Sequence, residues 1–205
     1  MGTRFSELQD GHAKFIAAQR LFFAATATGS GRINLSPKGM DSLRVLGPRR
    51  VVWLNVTGSG NETSAHVQRD PRITLMFCAF EGSPRILRIY GMARAVHRAD
   101  TEWAVLSAHF PSLAGARQIF DVTIELVQTS CGMAVPLFDY VGERTDLSEW
   151  AAQQGDEGLR RYWSEKNEVS LDGLPTHVSE RSGEVTPASV RAPHRRQRPA
   201  STNEK

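Results

Sequence analysis

Apolar and polar positions alternate with period two over much of this chain, and helical periodicity is confined to short stretches. LFFAATAT (21–28) and RINLS (32–36) flank a Ser-Gly turn at 30–31 and read as a hairpin. Asp41–Leu46 is short and extended. RRVVWLNV (49–56) is rich in β-branched and aromatic residues, which suit a pleated, half-buried surface. RITLMFCAF (72–80) and PRILRIYGMARAV (84–96) are two long strands joined by Glu-Gly-Ser-Pro, and RQIFDVTIELVQTSC (117–131) is a third. Helices are expected over 7–18 behind a Ser6 cap, over Asn61–Arg69 with Asn61 as cap and Asp70-Pro71 as stop, and over 100–110 from Asp100. Six to seven strands on short turns favour an antiparallel barrel over a parallel sheet. The fold class expected is mainly β with peripheral helices (α+β).

After Asp146 the texture changes. LSEWAAQQGDEGLRRYWSEKN is helical, broken by Gly155 and Gly158, and carries Trp150, Leu159, Tyr162 and Trp163. Those groups need a surface, either the barrel or a second subunit. The expected organisation is a barrel domain over 1–145, a helical segment over 146–175 and a disordered basic tail over 176–205. The tail holds six basic residues against three acidic ones, so it carries the whole net charge of +3. The pI near 9.1 therefore says little about what the folded part binds.

Composition narrows the function. Hydrophobic content is 40% of 205 residues, enough for one core, and no apolar run approaches the roughly 20 residues of a membrane helix. The opening MGTRFS matches a short myristoylation pattern, but Ser6 has a better role as a helix cap. Cys78 and Cys131 form neither a zinc spacing nor a disulfide framework. A cytoplasmic setting is the expectation. The histidines are scattered and no nucleophile elbow is present. The Arg-rich run PHRRQRP lacks aromatic interleaving, which makes a nucleic-acid partner the weakest reading.

Three segments carry candidate chemistry. Asn34, Ser36 and Lys38 share one strand face, Pro37 fixes the backbone at the strand end, and Gly39 permits a sharp exit. Such a face is either the solvent side of a hairpin or one wall of an anion site. In TGSGNET (57–63), Gly58 and Gly60 allow close backbone approach, and the following helix offers free N–H groups. A plain glycine turn before a capped helix reads the same way. Arg88, in a long and otherwise apolar strand, is either matched by an anionic partner, a carboxylate or a phosphate, or is a charge on the exposed face of the sheet.

The set Ser36-Pro37-Lys38-Gly39-Met40-Asp41, the strand Val51–Val56, GSGNETSAHVQRDPRITLMF, RILRIYGMARAV and the later Cys131-Gly132-Met133-Ala134-Val135-Pro136 resembles the pyridoxamine 5'-phosphate oxidase-like family of flavin-binding split β-barrels. The resemblance covers roughly residues 15–140. It implies an antiparallel split β-barrel, homodimeric, with flavin mononucleotide (FMN) in clefts at the subunit interface. The residues it implies for that cleft are Asn34, Ser36, Pro37, Lys38, Thr57, Ser59, Gly60, Asn61, Thr63 and Arg88. The chain departs from the true oxidases at four points, one being that the C-terminal segment which supplies a Trp and an Arg to their site is not recognisable in its tail. Ile33 or Arg32 stands for the arginine that opens the first motif, Glu62-Thr63 stands for an Arg-Lys pair, and Ile86 stands for a glutamine. An FMN-dependent oxidoreductase acting on a small molecule is the function implied. A non-catalytic flavin, deazaflavin or haem carrier is the alternative.

Overall fold

The computed structural model describes residues 2–183. Its elements run β1 (Thr3–Phe5), α1 (Asp10–Ala18), β2 (Phe22–Thr26), β3 (Asn34–Lys38), β4 (Leu43–Gly47), β5 (Arg50–Val56), α2 (Glu62–Arg69), β6 (Arg72–Cys78), β7 (Ile86–His97), α3 (Trp103–Ser107), β8 (Ala116–Ser130) and α4 (Asp146–Tyr162). The last of these continues into a π-helical turn, Trp163–Asn167. All pairings between these strands are antiparallel, in the order β3-β2-β6-β7-β8-β5-β4, with β1 added to β8.

The pairing of β7 with β8 is the spine, from Ile86 opposite Ser130 to His97 opposite Gln118. Its register shifts between Tyr90 and Gly91. A Cβ on Gly91 would lie 2.1 Å from the carbonyl oxygen of Thr123, so only glycine fits where the two backbones close on each other. This bulge helps the sheet curl until its two ends meet without pairing. Phe22 of β2 lies edge-on to Trp53 of β5 at 5.7 Å, and Lys38 of β3 sits over the same indole at 5.2 Å. The result is a split barrel whose interior holds Phe22, Leu75, Phe77, Leu87, Ile89, Phe120, Val122 and Ile124. A second cluster, including Val52, Leu54, Val96, Leu106 and Ile119, lies under α3 on the other face of the sheet.

Several expectations are corrected. The described residues hold eight strands rather than six to seven, because Thr3–Phe5 pairs with β8. That pairing uses the residues before Ser6, and α1 starts only at Asp10, capped from Gln9, whose backbone N–H donates to Nδ1 of His12 at 3.2 Å. The helix expected over 100–110 shortens to Trp103–Ser107. Asn61 stands at the cap position of α2, but its side chain makes no capping bond.

The tail expected to be disordered from 176 is packed as far as Gly183. Thr176 and Val178 are buried, the Thr176 hydroxyl donates to the Asn167 carbonyl at 2.6 Å, and Arg181 pairs with Asp100. The remainder of that tail lies outside the described residues. The 146–175 segment packs on its own barrel. Ala151, Leu159, Trp163 and Val178 form a third cluster, and Trp163 Nε1 donates to Thr57 Oγ1 at 2.8 Å. No helix among the described residues is long and apolar enough to cross a membrane.

Candidate functional site

Strand β3 has its polarity reversed. Pairing with β2 places Lys38 opposite Phe22, Ser36 opposite Ala24 and Asn34 opposite Thr26, all on the barrel's inner side. The apolar residues that alternate with them, starting just before the strand, point outward, with Ile33 77% and Leu35 63% exposed. The polar triplet therefore lines a cavity of about 680 Å³. Its other walls are Trp53–Thr57 of β5 and the loop after it, Gly58–Asn61, the first turn of α2, Arg117 of β8, and Lys166 with Val169–Leu171 of the C-terminal segment. Asn34, Ser36, Pro37, Lys38, Thr57, Ser59, Gly60, Asn61 and Thr63 all line this one cavity. Arg88 does not. It lies opposite Met76 and Gln128, away from the cavity, and Nη1 donates to Ser130 Oγ at 3.3 Å.

The loop over Thr57–Asn61 is held by its neighbours. Thr57 donates its N–H and its hydroxyl to the Gly115 carbonyl, at 2.8 and 2.7 Å. Asn167 Nδ2 donates to the Gly58 carbonyl at 3.0 Å, and Arg117 Nη2 donates to the Gly60 carbonyl at 2.7 Å. With both carbonyls engaged, the peptide planes on either side of Ser59 and Gly60 are fixed. Asn34 ties β3 to α2, since its Nδ2 donates to Thr63 Oγ1 at 3.1 Å. Part of the Asn34 and Thr63 inventory is therefore spent on scaffold, whereas Ser36 and Lys38 show no side-chain bond among the described residues.

The electrostatics are one-sided. Burial, and secondarily the charge of Arg117, push the Lys38 amine down to about 8. Burial likewise pushes Arg117 down to about 9. Glu62 is the only carboxylate lining the cavity among the described residues, and it accepts the Leu171 N–H at 3.1 Å. Neither Lys38 nor Arg117 has a carboxylate partner among the described residues. The site is thus a preformed cationic pocket suited to an anion. It holds no histidine or cysteine, and no group of metal-ligating side chains occurs among the described residues.

Sequence reasoning missed Arg117 and the C-terminal wall. The argument applied to Arg88, a cation within an apolar strand, holds equally for Arg117 beside Ile119 and Phe120, and would have found it. For Asn167, Ser170 and Leu171 no local signal exists.

The pattern of the pyridoxamine 5'-phosphate oxidase family matches residues 8–131. The chain belongs to that family. Its relative ustO of Aspergillus flavus, a pyridoxamine 5'-phosphate oxidase family protein, is 36% identical over 189 residues, covering 83% of this chain and 76% of that one. Among solved structures, HupZ of Group A Streptococcus is 17% identical over 58% of this chain and 91% of that one, with a TM-score of 0.47. A FAD-binding protein of Mycobacterium smegmatis is 12% identical over 62% and 97%, with a TM-score of 0.44. Membership of the family rests on the sequence matches. Lys166 and Val169–Leu171, beyond the matched residues 8–131, form one side of the cavity.

Proposed function

We propose that this protein is an FMN-dependent oxidoreductase of the pyridoxamine 5'-phosphate oxidase family. The observation that carries the reading is the cavity itself. Nine candidate residues converge on it, and Lys38 enters it as a desolvated cation with no carboxylate partner among the described residues. The bound flavin would supply hydride or electron transfer. The chain would bind and orient it. Lys38 and the Gly58–Asn61 loop would meet its phosphate, and the Trp53 and Leu54 walls would exclude water.

The same proposal includes a homodimer in a cytoplasmic setting. Exposed Ile33 and Leu35 form an apolar outer edge on β3, directly behind the cavity wall. A two-fold partner laid on that edge would border both cavities. Trp163, by contrast, is covered within its own chain and gives no support to a dimer. Haem is the less favoured ligand because no histidine lines the cavity among the described residues.

The test is the visible absorption of the purified protein, followed by titration of the apo-form with FMN, riboflavin, a deazaflavin and haem. A flavin spectrum and preference for FMN are expected. A Soret band, or a preference for the deazaflavin, would overturn the cofactor. Sedimentation should give a flavin-loaded dimer, and a loaded monomer would remove the shared interface.

A further inference from the structure

Gly39 and Ser42, which border the cavity described above, also border a second space. It is a cleft of about 350 Å³ between α1, the link into β2 and strand β4. Small-molecule sites run from about 300 to 1,000 Å³, so the cleft has room for a small ligand. Its apolar wall follows from the sequence of α1. Ala13, Ile16 and Ala17 stand at i, i+3 and i+4, one helical stripe turned toward the end of the barrel, and Arg20 follows just beyond the helix. Two of the three helical positions are alanine. Leu21, Leu43 and Val45 line the same cleft and stay only partly buried, over a floor of Phe22 and Phe77. A core filled to ordinary density would carry a larger aliphatic residue at position 13 or 17.

Arg20 gives the cleft its charge. Its guanidinium carbon lies 4.7 Å from the centre of the Tyr140 ring, and its N–H groups make no hydrogen bond among the described residues. The other two charged groups of the lining neutralise each other. Arg44 holds Asp41 through Nη1 and Nη2, both at 2.8 Å, and spends Nε on the His109 carbonyl at 3.0 Å. Glu143, on the segment that carries Tyr140, accepts the tyrosine hydroxyl at 2.8 Å. The lining is therefore apolar, with one positive charge in excess and that charge uncommitted.

We propose that this cleft binds a small apolar monocarboxylate, its hydrocarbon part against Ala13, Ile16, Ala17 and Leu43 and its carboxylate on Arg20. A guanidinium matches a carboxylate through two parallel N–H bonds. Contact with the Tyr140 ring restricts the Arg20 side chain before the ligand arrives, which lowers the ordering cost of binding. The alanines leave room for hydrocarbon, whose removal from water supplies the non-directional part of the affinity. A cation would be repelled, and an uncharged ligand would forgo the charge-assisted bonds. Nothing in this assignment depends on flavin: Arg20, Ala13 and Ala17 line the cleft and not the larger cavity.

The test is calorimetric titration of the purified full chain with phenylacetate, phenethyl alcohol and phenethylamine at fixed ionic strength. These probes share a skeleton and differ in charge. Phenylacetate should bind about tenfold more tightly than the alcohol, with the amine weakest. Arg20→Gln should bring phenylacetate to the affinity of the alcohol and leave the alcohol unchanged. Ala17→Leu fills the cleft and should weaken both by about tenfold or more. Position 17 is exposed and leucine is a strong helix former, so this variant should melt as wild type does. Should it not fold, Ala13→Leu takes its place. Phenylacetate binding that survives the leucine variant, or that is lost in Lys38→Gln but not in Arg20→Gln, puts the ligand elsewhere and overturns the proposal. Equal affinity for acid and alcohol, or no binding of any probe at millimolar concentration, overturns it as well. Phenylacetate binding that needs Arg20, in a protein that takes up no flavin, would end the flavin reading and leave the carboxylate site standing.

Discussion

Acidification should loosen this fold through one buried group, His97. It is 0% exposed at the end of β7, and its Nε2 lies 3.2 Å from Gln118 Nε2. Gln118 uses Oε1 to accept from Asn55 and Nε2 to donate to Ser64 Oγ. Its remaining amide hydrogen must therefore go to His97 Nε2, which makes that nitrogen an acceptor and places the imidazole proton on Nδ1. Protonation would set two donors against each other. Burial, and secondarily the charge of Arg181, lower the His97 pKa from 6.5 to about 4. Between those values the unfolded chain binds the proton and the folded one does not, so stability rises with pH across that window. The contribution is retained above about 6.5, is lost progressively as pH falls, and is fully lost below about 4. Each unit is worth about 1.4 kcal/mol, and the linkage relation gives a loss of about 2 kcal/mol between pH 7 and pH 5. Denaturant melts of wild type and His97→Gln at those two pH values measure it. The wild type should lose about 2 kcal/mol more than the variant, because glutamine offers a neutral acceptor that does not titrate. Equal losses, or a His97 imidazole that titrates near 6.5 by NMR, would refute the argument. Ser64 Oγ also donates to the Thr176 carbonyl, so the network joins α2 to the C-terminal segment. Acid should accordingly release ligand before it unfolds the barrel.

The remaining predictions concern backbone, tail and charge. Gly91→Ala should cost roughly 3 kcal/mol or more, since its Cβ would meet backbone rather than a movable side chain; a chemical melt within about 1 kcal/mol of wild type would contradict the bulge. Truncation after Gly183 should leave the melting temperature unchanged, whereas truncation after Pro175 removes Thr176, buried Val178 and the Arg181–Asp100 pair. The shorter form should melt roughly 5–10 °C lower, from about 2–3 kcal/mol lost in a domain of this size, and equal melting of the two forms would return the whole tail to a passive role. The preference for FMN over riboflavin should decline as pH rises above about 8, where Lys38 loses its proton in the ligand-free protein; a ratio constant from pH 7 to 9.5 would show that Lys38 does not meet the phosphate.

Much of the fold was legible because its signals are local. The alternation in 49–56, 72–80, 84–96 and 117–131 appears as β5 to β8 with boundaries shifted by a residue or two. What failed was also local in cause. Thr3–Phe5 is three residues long, too short for any period, and exists only because the end of β8 offers a free edge. Ser6 had the right chemistry for a cap, but the chain was already committed to that edge. Residues 176–183 look like a linker by composition. They are ordered by contacts with residues about a hundred positions away, Ser64 and Asp100, which composition does not record.

The site was legible only in part, and β3 shows why. Alternation states that Asn34, Ser36 and Lys38 share a face opposite Ile33 and Leu35, but not which face is interior. The usual assignment, apolar inward, would have put Lys38 in water. Here it is reversed, because the strand closes a polar cavity on one side and offers an apolar edge on the other. Arg117 and Asn61 break rules in the same region, one as a cation inside a core strand and the other as a cap residue that does not cap. Sequences that specify a single fold satisfy local and global preferences together, and departures concentrate where function requires them. Three departures converge on one cavity of about 680 Å³. Packing alone would have been better served by an apolar residue at 117 and an engaged cap at 61, so the shape of the barrel does not require the charge gathered inside it.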